Sequence, residues 1–175
     1  AIELKSRQVG WSWLSAAESI ANACIYPKST HIFVSINQEE AAEKIRYAKA
    51  VMEALDSDVR PRLLIDNRLG IELSNGSRLI SHPCRPVRGK AKARVYLDEY
   101  AHYPNADEVY TSALPILSKG GMIRIGSSPL GARGKFWEIY TESMQKYPGY
   151  TRDMIPWWHI GALCKDLEAA ESQAP

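Results

Sequence analysis

An α/β fold is the class this 175-residue chain predicts: three layers, with a mostly parallel central sheet, helices on both faces and a β-hairpin insertion. Three observations carry it. Short apolar runs alternate with stretches of helical period, which calls for crossover connections and a sheet covered on both sides. Asn75-Gly76 between two apolar runs is a strong local hairpin signal, so an antiparallel element, an insertion or a sheet edge, interrupts the alternation. The length, with 45% hydrophobic and 24% charged residues, fits one core, and residues 1–175 are read as a single domain.

The elements follow in order. Ile2 to Leu4 is a short extended piece, and a helix is expected from Trp11 to Ile25, where Leu14, Ala17, Ala21 and Ala16, Ile20, Cys24 recur at helical spacing. Tyr26-Pro27 ends it, because a residue before proline is pushed out of the helical region. His31 to Ile36 reads as a buried strand. Asn37 is the expected N-cap of the next helix, with Glu39 and Glu40 in its first turn and an apolar stripe at Ala41, Ile45, Ala48, Met52 and Leu55. Leu63 to Ile65, Leu69 to Leu73 and Arg78 to Ile80 are extended runs, the last two joined by Ser74-Asn75-Gly76-Ser77. A loop from Pro83 to Lys92 leads into the strand Val95 to Leu97. A helix over Ala106 to Leu117, a strand over Met122 to Ile125, a helix over Gly134 to Gln145 and a last strand over Met154 to Trp158 complete the chain, with a helical or frayed end.

Composition narrows the function classes. No apolar run approaches the roughly 18 to 20 residues that cross a bilayer, and no basic-then-apolar leader opens the chain. Three scattered cysteines, Cys24, Cys84 and Cys164, make neither a disulfide framework nor a metal pair, and suggest reduced thiols. The net charge of +2 hides an asymmetry: Arg60 to Arg94 holds nine Lys or Arg against Asp66 and Glu72, a local +7, leaving −5 elsewhere. Such a segment is either an electrostatic surface for a polyanion or a solvated basic face.

Three segments can carry chemistry. Lys5-Ser6-Arg7-Gln8-Val9-Gly10-Trp11-Ser12 lies where a strand turns into a helix, as phosphate loops do. Against the pattern G-x-x-x-x-G-K-[ST], Gly10 matches the second glycine, Lys5 replaces the first, and Trp11 stands where the lysine belongs. Ser12 then takes the place of the hydroxyl that binds Mg²⁺. A lysine at the start of the loop can still reach the β and γ phosphates, since its charge sits on a flexible stem. Arg94 to Glu99 is a core strand ending in two carboxylates, at the edge where open α/β sheets bind ligands. Adjacent side chains of an extended chain diverge, so Asp98 is assigned to the metal and Glu99 to the attacking water. Ile125-Gly126-Ser127-Ser128-Pro129 brings two hydroxyls to the end of a further strand, as γ-phosphate sensors or as turn formers. In this order the three segments fit a phosphate-loop nucleoside triphosphatase.

Lys-Ser-Arg-Gln-Val-Gly-Trp-Ser, Val-Tyr-Leu-Asp-Glu-Tyr-Ala and Gly-Ser-Ser-Pro-Leu-Gly together resemble the ATPase domain of the large terminase subunit of tailed double-stranded DNA phages. Val34 to Ala41 and Pro86 to Gly89 extend the likeness, which covers nearly the whole chain. The resemblance implies a P-loop NTPase of the ASCE type that hydrolyses ATP with Mg²⁺ and drives double-stranded viral DNA into a procapsid in the host cytoplasm. It implies a portal protein and a small terminase subunit as partners, and a ring of subunits. Carried over, Lys5, Ser6, Arg7, Gln8, Val9, Gly10, Trp11 and Ser12 bind the nucleotide as a deviant Walker A loop. Ser12 and Asp98 hold the metal, and Glu99, closing the Walker B strand, is the catalytic carboxylate. Ser127 and Ser128 couple hydrolysis to movement. Arg88 is chosen as the arginine that completes a neighbour's site, with Arg7 and Arg133 as rivals; Arg85, Lys90 and Lys92 are the candidate DNA contacts. The family's upstream adenine-binding segment and downstream nuclease domain have no counterpart in this sequence, which is therefore read as a fragment.

Two other readings compete. One is a helicase-like nucleic-acid-dependent ATPase; the other is a nucleotide-binding or interaction module without turnover, since Trp11 has replaced the usual lysine. Trp11, Trp13, Trp137, Trp157 and Trp158 are expected mainly in packing rather than base stacking. His31, His82, His102 and His159 share no ligand spacing, and only His102 lies near the proposed site.

Overall fold

The computed structural model describes residues 1–87, 92–142 and 146–172. Among the described residues eight strands form one sheet in the order β3-β4-β5-β2-β6-β7-β1-β8. They are β1 (Ile2–Lys5), β2 (Thr30–Ser35), β3 (Leu63–Asn67), β4 (Gly70–Leu73), β5 (Arg78–Pro83), β6 (Arg94–Asp98), β7 (Met122–Ser127) and β8 (Arg152–Ile155). From β5 to β8 every neighbouring pair is parallel, while β3-β4 and β4-β5 are antiparallel. The helices are α1 (Trp11–Ile25), α2 (Gln38–Glu53), α3 (Ala106–Leu117), α4 (Gly134–Thr141) and α5 (Leu167–Ser172).

The period of two along the central strands sorts their side chains between two cores. Ile32 and Val34 of β2 and Val95 and Leu97 of β6 join the core under α3 and α4. Phe33 and Tyr96, the residues between them, stack on each other in the second core, under α1 and α2. Three layers result, as the alternation of elements predicts. Asn37 caps α2 as expected, its side chain accepting the Glu40 N–H at 2.8 Å.

Several expectations change. The Leu14 side of α1 faces out, with Leu14 48% exposed, and the buried face is Trp11, Ser15, Ala16, Ser19, Ile20 and Ala23. Small side chains there let the helix approach the sheet closely, which an apolar-periodicity reading undervalues. The Asn-Gly hairpin lies inside the sheet's antiparallel side and not at its edge: β5 pairs in parallel with β2, and β3, outside β4, is the edge strand. The last strand covers Arg152–Ile155 rather than Met154 to Trp158. Pro156 has no N–H to continue the ladder, and Trp157–His159 forms a 3-10 turn. α4 ends at Thr141, and Gln145 lies outside the described residues. Among the described residues no helix is long and apolar enough to cross a membrane, and all three cysteines are free.

Candidate nucleotide site

The carboxyl ends of β1, β6 and β7 meet along one rim, with β7 between the other two. Lys5 is the last residue of β1 and is buried, and its Nζ lies 2.5 Å from Glu99 Oε1 and 3.5 Å from Asp98 Oδ1. The two acids therefore do not diverge as alternation along an extended strand predicts. Glu99 has left the strand: at φ 54° and ψ 40° it is left-handed, opening the 3-10 turn Tyr100–His102. That turn brings its carboxylate back toward the ammonium that also faces Asp98. Such a conformation is unfavourable for a residue with a Cβ and is held by its surroundings.

Asp98 is buried at the end of β6. Its Oδ2 accepts from Ser12 Oγ at 3.0 Å and faces Lys44 Nζ at 2.7 Å, while its Oδ1 has no hydrogen-bond partner among the described residues. A hydroxyl beside a carboxylate with a spare oxygen fits a hard divalent cation whose remaining positions go to water and phosphate oxygens. Among the described residues no group of three or more His, Cys, Asp or Glu forms a self-sufficient metal cage, so a cation here needs those outside ligands.

Glu99 Oε2 accepts from the Ser128 backbone N–H at 3.0 Å and from Ser128 Oγ at 2.7 Å. Burial pushes the Glu99 carboxyl up, but the Lys5 hydrogen bond, the Ser128 N–H and the Lys5 charge outweigh it and hold the group below its ordinary value. Because the single Ser128 hydroxyl proton goes to Glu99, His102 Nε2, 3.0 Å from Ser128 Oγ, must be the donor in that contact. Ser127 Oγ accepts the Ala101 N–H at 3.0 Å and so ties β7 to the turn that follows Glu99. The two serines meet the acid strand directly.

Trp11, where a phosphate loop keeps its lysine, is 3% exposed and turned inward. Its indole N–H donates to buried Glu3 of β1, and its ring rests on Gly126 of β7, where a Cβ would overlap the indole. Glu3 also takes Arg124 Nη2 of β7 at 2.5 Å, and Arg124 reaches Glu18 of α1. The Lys5 ammonium stands 5.7 Å from the centre of the Trp11 ring. Trp11 is thus a packing residue that braces the loop and supplies no charge.

A cleft of about 340 Å³ collects Lys5 through Ser12 with Asp98 and Glu99, adding Glu40, Glu43, Lys44 and Tyr47 from α2. Left-handed backbone at Gln8 (φ 62°) and Gly10 (φ 81°) turns the loop into α1. Arg7 is exposed at its lip, and Arg133 is exposed before α4. Arg85 and Lys92 are exposed, whereas Arg88 and Lys90 lie outside the described residues. Part of the basic segment is already engaged: Arg68 pairs with Glu39 at 3.3 Å, Arg78 Nε donates to Thr30 at 3.2 Å, and Arg94 lies over the Tyr26 ring.

Sequence reasoning missed Lys44, Glu3 and Arg124. Each had one signal, a charge on a core-facing position: Lys44 beside Ile45 in the α2 stripe, Glu3 between Ile2 and Leu4, Arg124 between Ile123 and Ile125.

A parallel sheet with a glycine-turned loop after β1, an acid pair after β6 and an interposed strand defines a P-loop NTPase fold of the ASCE type. The chain belongs to the family described as terminase large subunit, T4likevirus-type, N-terminal, whose model matches residues 2–155. Its fold is similar to that of the large terminase ATPase domain of Thermus phage P74-26, at a TM-score of 0.70 and 18% identity over 98% of this chain and 79% of that one. It is also similar to the large terminase of bacteriophage HK97, at a TM-score of 0.65 and 13% identity over 89% of this chain; it spans 35% of that protein.

Proposed function

We propose that this chain binds ATP with Mg²⁺ in the cleft beneath Gly10, hydrolyses it, and couples the hydrolysis to movement of double-stranded viral DNA into a procapsid. The observation that carries the reading is the convergence of Lys5 on both Asp98 and Glu99, with Ser12 bonded to Asp98. Membership of the terminase family supports the DNA-packaging part.

In this reading the N–H groups of the loop and of the start of α1 cradle the phosphates. Lys5 supplies the charge that Trp11 does not. Ser12 and Asp98 would hold Mg²⁺, which when bound would supply positive charge to the phosphate oxygens. Glu99, kept ionised by Lys5 and Ser128, orients the attacking water and takes its proton. Ser127 and Ser128 report the state of Glu99 to β7. A neighbouring subunit in a ring supplies an arginine, with Arg88 the first choice and Arg7 and Arg133 the alternatives. Arg85, Lys90 and Lys92 contact the DNA backbone. A portal protein and a small terminase subunit complete the machine in the host cytoplasm.

Glu99→Gln tests the chemistry. It is expected to bind a fluorescent ATP analogue as the parent does, and to lose phosphate release by about 10²–10⁴-fold, the usual size of a general-base contribution. A variant that hydrolyses ATP at the parent rate, or a parent with no turnover that Glu99 controls, leaves a nucleotide-binding module instead.

A further inference from the structure

Lys44 has no part in the phosphate-loop pattern, yet it stands at the centre of the site. It projects from the core-facing stripe of α2, and its side chain is only 6% exposed. A buried ammonium is tolerated only when paired, and its partner is Asp98 Oδ2 at 2.7 Å. That same oxygen accepts from Ser12 Oγ. A divalent cation bound to Asp98, even through the spare Oδ1, draws on the same negative charge that the ammonium is using. Lys44 and the metal therefore compete for one carboxylate.

Charge balance points the same way. With Lys5 on Glu99 and Lys44 on Asp98, two cations meet two carboxylates and the buried cluster is neutral. A divalent cation arriving at Asp98 takes from Lys44 its one directly paired carboxylate in a low-dielectric setting, with Glu40 and Glu43 the remaining acids along the cleft. Its four-carbon stem lets the ammonium swing, and it lines both the cleft under the loop and an adjoining hollow of about 680 Å³ bounded by Arg7, Ser35, Glu99 and His102. Glu40 borders both spaces as a single charge, and a polyphosphate in the cleft offers the ammonium a denser anion.

Resting on the nucleotide reading above, we infer that Lys44 is an exchangeable second phosphate ligand. It neutralises Asp98 while no divalent cation is present, and passes to the phosphate chain of a nucleoside triphosphate once the cation takes that carboxylate.

The test measures binding of a fluorescent ATP analogue to the chain in EDTA, where no metal contributes. Asp98→Asn frees Lys44 and is expected to bind the metal-free analogue about tenfold more tightly than the parent, the size of one charge-assisted hydrogen bond. Adding Lys44→Met to Asp98→Asn removes that gain. The double variant loses one charge of each sign, so the cluster stays neutral and the fold is preserved. If it binds as tightly as Asp98→Asn alone, or if Asp98→Asn shows no gain, Lys44 is only a structural counter-ion and the inference is overturned. A second readout needs no nucleotide: Mg²⁺ alone raises the melting temperature of Lys44→Met more than that of the parent, and equal shifts also overturn it. Should the parent fail to bind the analogue even with Mg²⁺, the nucleotide reading itself falls, an outcome separate from the others.

Discussion

Lys5 and Ser128 oppose the burial of Glu99, and the ionised carboxylate at this strand end is their joint product. In Lys5→Met burial is no longer offset by the ammonium, so the Glu99 carboxyl rises. The acid limb of a single-turnover pH–rate profile is expected to move to higher pH, while nucleotide affinity falls; an unmoved limb means that Lys5 does not govern the base. Lys5, Asp98 and Glu99 were legible in the sequence because each lies in a contiguous segment of recognisable spacing. Lys44, Glu3 and Arg124 were not, because a single charge inside a periodic stretch carries no local sign of the partner it will meet. Glu3 and Arg124 are 121 residues apart, and only the pairing of β1 with β7 makes them neighbours. The direction of Glu99 was misread for a related reason: strand alternation was carried one residue past the end of the strand.

α1 and β7 meet where the Trp11 ring lies on the bare backbone of Gly126. Gly126→Ala forces a methyl group into that ring, and overpacking of this kind costs about 1–3 kcal/mol. A corresponding drop in the urea midpoint is expected, and an unchanged midpoint rules out the close contact. The alternation of strands and helices, the cap at Asn37 and the turn at Asn75-Gly76 were all readable, since each is a local effect of side-chain chemistry on the backbone. Strand order was not. β8 beside β1 and β5 beside β2 arise from long-range pairing that local periodicity does not encode, whereas β3 joins β4 through a local turn at Arg68-Leu69. Of the two stripes expected on α1, Ala16 and Ile20 are buried and Leu14 is not; Ser15 and Ser19, which share the buried face, carry no apolar signal.

The packed molecule also sets a dependence on acidity. His31, fully buried in β2, has its pKa lowered from 6.5 to about 4 by burial and by the nearby Arg94 charge. The folded state therefore resists a proton that the unfolded chain takes up below pH 6.5. Stability held at neutral pH is lost as the pH falls through that window, by up to about 3 kcal/mol from this group. Urea unfolding at pH 7, 5 and 4 is expected to show the loss, and His31→Asn to reduce it; an equal slope in both proteins removes His31 as its source.

Charge along the candidate cleft is close to balanced. Its lining holds three cationic side chains, Lys5, Arg7 and Lys44, against four acidic ones, Glu40, Glu43, Asp98 and Glu99. A basin with that tally gives a bare triphosphate little electrostatic steering. One acid in excess along that lining favours a triphosphate that brings its own divalent partner, and the chelated form is expected to associate faster than the bare one in stopped-flow binding.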